Sequence, residues 1–134
     1  MLKYRDFLRD KRRDTLQYAL TIEARIKEEI PMLIQELINQ IVKTIVTGYE
    51  PKKIILFGSY ACGSPTKDSD IDLLVIKDDN LPRIHRNRIV RSYLKDFLFP
   101  IDVIVKSSQK FEMFKDIIGT VVYTANKYSK VLYG

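Results

Sequence analysis

With 134 residues, 46% hydrophobic and 30% charged, the chain has the length and apolar content of one globular domain. That excludes collagen-like, low-complexity and wholly disordered classes, and a single cysteine, Cys62, excludes an internal disulfide framework. The balance of 23 Lys and Arg against 17 Asp and Glu gives a net charge of +6, which attracts nucleotides, RNA or acidic protein faces without choosing among them.

No apolar run approaches the ~20 residues of a membrane helix. The charged start Met1-Leu2-Lys3-Tyr4-Arg5-Asp6 lacks the apolar stretch of a signal peptide. A soluble cytoplasmic protein with no membrane partner is expected. The cations crowd two places. One is the opening segment, where Lys3, Arg5, Arg9, Lys11, Arg12 and Arg13 alternate with Asp6, Asp10 and Asp14 as in an ion-paired helix. The other holds Arg83, Arg86, Arg88, Arg91 and Lys95 with no acid among them. It reads as a solvated helix face, or else as a contact for phosphate, RNA or a partner.

In chain order, Leu16, Leu20, Ile26, Ile30, Leu33, Leu37, Ile41 and Ile45 recur at helical spacing and read either as a core face or as the dimer seam of a homo-oligomer. Pro31 interrupts that run, so one helix is expected to end near Glu29 and another to begin at Pro31 and stop at Gly48. The expected division is an N-terminal helical extension over 1–30 and a domain over 31–134. Ile54-Ile55-Leu56-Phe57, running into Gly58-Ser59, predicts a buried strand and a tight turn. Asp70 to Ile76 predicts a second strand, Pro82 to Leu98 a helix, and Ile101 to Val105 a third strand. Ser107-Ser108 would cap a helix carrying Phe111, Phe114, Ile117 and Ile118, broken at Gly119 before a last helical turn and a short Val131-Leu132-Tyr133 end. Strands alternating with helices give an α/β or α+β domain.

Chemistry concentrates between Lys52 and Lys77. Asp70 and Asp72, two apart on a strand, share a face roughly 7 Å apart. Flanked by Ile71, Leu73 and Leu74, the two carboxylates repel each other and resist burial. A divalent cation resolves both problems, and oxygen ligands suit Mg²⁺ or Mn²⁺. Asp102, second in the third strand, completes a three-carboxylate site if the strands adjoin, enough for two ions about 3.5–4 Å apart. Gly58 lets the backbone approach a ligand closely, and the amides of the turn at Ser59 then face a phosphate. Together these describe a nucleoside triphosphate site.

Taken singly, each feature has an ordinary explanation, Gly-Ser as a turn and Asp-x-Asp as an exposed loop. Gly-Ser, ten residues, Asp-x-Asp matches by chance in a chain this size only about once in several hundred, and Asp102 in an apolar strand is a further disfavoured residue. The pattern Gly58-Ser59, Asp70, Asp72 and Asp102 in PIDVIV resembles the minimal nucleotidyltransferases of the DNA polymerase β superfamily, over about residues 33–134 including the TVVYTANKYSKVLYG tail.

The resemblance implies an α+β nucleotidyltransferase fold, a small mixed β-sheet backed by helices. It implies ATP as substrate, Gly58 and Ser59 holding the β- and γ-phosphates, and Asp70, Asp72 and Asp102 as catalytic ligands of two Mg²⁺. Minimal members resemble antitoxins that transfer AMP to a tyrosine of a HEPN-type toxin, and this chain has no room for a separate acceptor domain. The alternatives from other classes are transfer to RNA or a small molecule, and a weakly catalytic nucleotide-binding or complex-forming module; RNA contact is the less favoured. Where such proteins commonly show Gly-Ser-x-Ala-Arg-Gly, this chain has Gly58-Ser59-Tyr60-Ala61-Cys62-Gly63. Either activity is weakened by the missing cation, or Lys67 or an arginine from residues 83–91 substitutes for it, and Cys62 itself reads as a small, partly buried thiol. Ser69 either caps its turn or touches a phosphate, and general-base use of His85, the lone histidine, would need a partner that the sequence does not place.

Overall fold

The computed structural model describes residues 15–134. The basic opening segment, with Asp6, Asp10 and Asp14, lies outside the described residues. The chain divides into two units, Met1–Asn39 and Gln40–Gly134. Among the described residues no helix is long and apolar enough to cross a membrane.

Helix α1 runs unbroken from Thr15 to Tyr49 with Pro31 inside it, in place of the two helices expected. Proline at 31 removes one i→i−4 bond. Its surroundings are exposed, so water can take up the carbonyl freed at Lys27 while good helix formers continue on both sides. Within the first unit Leu16, Leu20, Ile26, Ile30 and Leu33 are exposed, so this part of the expected core face is not covered. In the second unit Ile41, Ile45 and Tyr49 are buried.

Gly48 is not the cap either. The left-handed residue is Glu50, at φ 52°. Lys77 Nζ closes the helix end by donating to the carbonyls of Tyr49 (2.8 Å) and Glu50 (3.1 Å). Gly48 is small for a packing reason: a Cβ there would sit 2.6 Å from the Tyr93 ring.

The rest of the second unit is β1 (Lys53–Phe57), α2 (Ser59–Cys62), β2 (Ile71–Ile76), α3 (Arg83–Leu94), β3 (Ile101–Lys106), α4 (Ser108–Phe114), α5 (Val121–Lys127) and β4 (Lys130–Tyr133). The sheet order is β3-β2-β1-β4. β2 and β3 are parallel, joined through α3, and β1 is antiparallel to both β2 and β4. This is the small mixed sheet with helices that the signature implied.

Alternation along the strands divides the core in two. Ile55, Phe57, Leu74 and Ile76 pack with Phe111, Val122 and Ala125 of α4 and α5. Ile54, Leu56, Ile71, Leu73, Val75, Val103 and Val105 are buried on the other face, as are Val90 and Leu94 of α3.

Ser107 caps α4 as expected, accepting from the Lys110 amide. That helix ends well before Gly119, because the Thr120 hydroxyl engages the carbonyls of Phe114 and Ile117 and then caps α5 by accepting from Tyr123 N. Ile117 and Ile118 are consequently exposed rather than part of a helical core face. The Val131-Leu132-Tyr133 end is a strand, since β1 offers it a free edge: Ile55 pairs with Val131 and Leu56 with Lys130.

Candidate active site

β2 carries Asp72 among buried residues, with Asp70 just ahead of the strand. The parallel register pairs Asp72 with Asp102, and the antiparallel register pairs it with Phe57, the last residue of β1. Neighbouring strands lie ~4.8 Å apart and in-register side chains share a face. The Asp72 and Asp102 carboxylates are therefore side by side, at the edge of the Phe57–Leu74 core.

The turn after β1 closes the third side. Gly58 has φ 75° and ψ −158°, a conformation that only glycine adopts readily. Its carbonyl accepts from the amides of Ala61 and Cys62, which starts the single turn α2. A Cβ on Gly58 would collide with Asp72 Oδ2. Glycine at 58 is thus what lets the backbone turn pass directly over the Asp72 carboxylate.

The electrostatics follow from this crowding. Burial, then the Asp102 charge, then the Asp70 charge hold the Asp72 carboxyl above its ordinary value. Asp70 and Asp102 are exposed and Asp72 is partly buried.

Among the described residues no three His, Cys, Asp or Glu side chains already stand close enough to ligate one ion. The donor set nevertheless fits a divalent cation: Asp70 and Asp102 both lie within electrostatic reach of Asp72, the donors are oxygen-only, and a cation would relieve the charge at Asp72.

Ser69 lies in the preceding loop. Its hydroxyl accepts from the Thr66 amide at 2.8 Å and meets the Thr66 hydroxyl at 3.2 Å. Cys62 is exposed rather than partly buried, and it ends α2. Of the arginines considered as substitutes for a cation there, Arg86 is committed to Asp79, Nε to Oδ1 at 2.6 Å. A ring pair that the sequence does not signal ties the site's two sides together. Tyr60 of α2 meets Phe99, just ahead of β3, edge-on with centroids 6.1 Å apart. Nothing in the local pattern signals that pairing, because the two residues join only through the fold.

The sheet, the glycine turn and the carboxylates on adjacent strands define a nucleotidyltransferase. Residues 39–128 match the model of the family described as polymerase beta, nucleotidyltransferase, and the chain belongs to that family. Among its relatives, a Methanocaldococcus jannaschii protein provisionally named a protein adenylyltransferase is 38% identical over 77 residues, 56% of this chain and 77% of that one. Protein adenylyltransferase MntA of Thermococcus cleftensis is 34% identical over 73 residues, 54% of this chain and 73% of that one. A Sulfolobus solfataricus crystal structure, described provisionally as a nucleotidyltransferase, superposes with a TM-score of 0.56 at 19% identity, covering 77% of this chain and 82% of that one. At that identity the likeness is one of fold.

Proposed function

We propose that the chain transfers AMP from ATP to a hydroxyl of a partner protein, with Asp70, Asp72 and Asp102 as its catalytic carboxylates. The observation that carries this reading is the in-register pair Asp72 and Asp102 beneath the Gly58 turn. The relatives named protein adenylyltransferases support a protein acceptor.

In this reading the Gly58–Ser59 turn receives the β- and γ-phosphates, and Ser69 shapes or touches the phosphate side from its loop. Asp70, Asp72 and Asp102 would hold two Mg²⁺ or Mn²⁺ ions, which when bound neutralise carboxylates and triphosphate together. Asp102, exposed at the start of the edge strand β3, orients the acceptor hydroxyl toward the α-phosphorus. The new O–P bond forms as the bond to pyrophosphate breaks and the hydroxyl proton passes to solvent, leaving AMP on the acceptor. The rate comes from positioning and charge neutralisation. The acceptor in this reading, taken from the resemblance to minimal nucleotidyltransferases, is a tyrosine of a HEPN-type toxin, with the chain acting as its antitoxin.

The test is label transfer with Mg²⁺, comparing ATP labelled on the α-phosphate with ATP labelled on the γ-phosphate. A protease-sensitive, RNase-resistant product carrying only α-label is expected, and mass spectrometry then identifies the modified residue. An RNase-sensitive product would move the acceptor to RNA. No macromolecular label would leave a small-molecule acceptor or a binding module.

A further inference from the structure

We propose that the solvent face of α3, continued by Leu98, is the docking strip for the acceptor, and that its occupant is an acidic protein surface with an apolar hollow at the end nearest Asp102. This deepens the reading of the chain as a protein adenylyltransferase and rests on it.

α3 has one committed face. Val90 and Leu94 are buried, and Asn87 turns inward, its Oδ1 accepting from the Val105 amide. The exposed flank beside it presents Ile84, Arg88 and Arg91, continued by Lys95 just past the last helical residue, all exposed, at i, i+4, i+7 and i+11. Those eleven steps make a strip about 16 Å long. Arg86 is neutralised by Asp79, but among the described residues Arg88, Arg91 and Lys95 enter no ion pair. Cations three and four residues apart weaken a helix slightly, so folding does not explain why this face carries three of them and no acid.

The strip is bracketed by large apolar side chains, Ile84 at 71% exposure and Leu98 fully exposed. Leu98 adjoins Phe99, whose ring rests on Tyr60 of the turn helix α2, and Asp102 follows three residues later. Leu98 therefore projects from a segment anchored at the rim of the candidate active site, and a partner lying along α3 would bring its end to Asp102.

Exposed apolar residues at both ends of a cationic row fit a protein interface, in which an aliphatic anchor fills a pocket and charges set orientation. A nucleic acid backbone would satisfy the cations but leave Ile84 and Leu98 in water. No aromatic ring stands in the strip to stack a base.

The test uses the full chain without ATP, titrated with three probes at low and at physiological salt. One is a helical peptide with Glu and Leu on one face, the second is the same peptide with Ser for Leu, and the third is a polyadenylate oligonucleotide. The Glu/Leu peptide is expected to bind best. Its affinity should fall about tenfold or more in the triple variant Arg88→Glu, Arg91→Glu, Lys95→Glu and about tenfold in Leu98→Ser, with the melting temperature of each variant checked. Equal binding of the Glu/Ser peptide, indifference to either variant, no binding of the peptides, or tighter binding of the oligonucleotide would each overturn the proposal. Because the titration involves no reaction, loss of the strip and loss of the AMP-transfer reading are separable: α-label transfer without peptide binding removes only the strip, and the reverse removes only the reaction.

Discussion

Asp72 and Asp102 stand directly opposite one another across the parallel β2–β3 pairing, and the turn at Gly58 passes over the Asp72 carboxylate. Two like charges in adjacent strands, one of them partly buried, oppose folding. A fold that tolerates this arrangement at the end of an apolar sheet spends stability on a site, and the stored repulsion is measurable.

Asp72→Asn should therefore stabilise the protein while removing its activity. A carboxyl held above its ordinary value binds its proton more tightly in the folded chain than in the unfolded one. Its contribution thus favours folding at low pH and turns unfavourable as pH rises from 3.8 through the raised value. The neutral amide escapes that loss. After solvent screening the gain is at most about 1 kcal/mol, a rise in melting temperature of roughly 3–5 °C at pH 7 that shrinks toward pH 4. AMP transfer should fall by about 10²-fold or more. Mg²⁺ should raise the melting temperature of the wild type and do so less in the variant. A variant that melts lower at pH 7, or that keeps its transfer rate, would contradict this account.

Gly58→Ala should fail for two separable reasons. A residue with a Cβ pays about 1–3 kcal/mol to hold the backbone Gly58 adopts, and that Cβ also collides with Asp72 Oδ2. Loss of several °C together with loss of transfer is expected. In a double-mutant cycle with Asp72→Ala the collision vanishes and the backbone strain stays, so the two substitutions should be non-additive by more than 0.5 kcal/mol, the usual mark of residues in contact. Additive effects would show that the contact is not strained.

The strands and the three aspartates were legible because an apolar run with an Asp inside it is improbable without a use for the charge. Their adjacency was not legible. Side-chain period gives the face of a strand, while the register that sets Asp72 beside Asp102 depends on how α3 returns the chain to the sheet. Gly48 and Pro31 depart from expectation for one reason: local backbone preference decides neither. Contact with the Tyr93 ring decides Gly48, and the exposed helix simply absorbs the lost bond at Pro31. β4 is not legible because Val131-Leu132-Tyr133 shows no alternation, and its strand exists only because β1 has an edge to offer.

Cys62→Arg tests the departure at the phosphate turn. Cys62 is exposed at the end of α2, so the longer side chain has room and stability should change by no more than about 0.5 kcal/mol. A guanidinium there adds a fixed cation beside the turn proposed to receive the phosphates. The KM for ATP should fall several-fold, and the effect should weaken with added salt. Unchanged ATP affinity and turnover would mean that this position does not face the phosphates.

Asp78 makes the pH prediction of opposite sign, at the other end of the sheet. Its carboxylate accepts from Lys52 Nζ at 2.8 Å and from Ser108, amide at 2.7 Å and hydroxyl at 2.6 Å. The Lys52 bond first, then those from Ser108, hold its carboxyl well below the usual carboxylate range. Stability from such a group is present above 3.8 and is lost as pH falls through the lowered value. The network joins the start of β1, the exit of β2 and the first turn of α4, so its loss loosens the side of the sheet away from the aspartates. Asp78→Asn should melt lower than wild type at pH 7, the two melting curves should converge as pH falls toward about 2, and AMP transfer at moderate temperature should be unchanged. Thermal melts of both proteins across that range decide it: a difference that persists undiminished at low pH would mean that the ionised carboxylate is not what Lys52 and Ser108 hold.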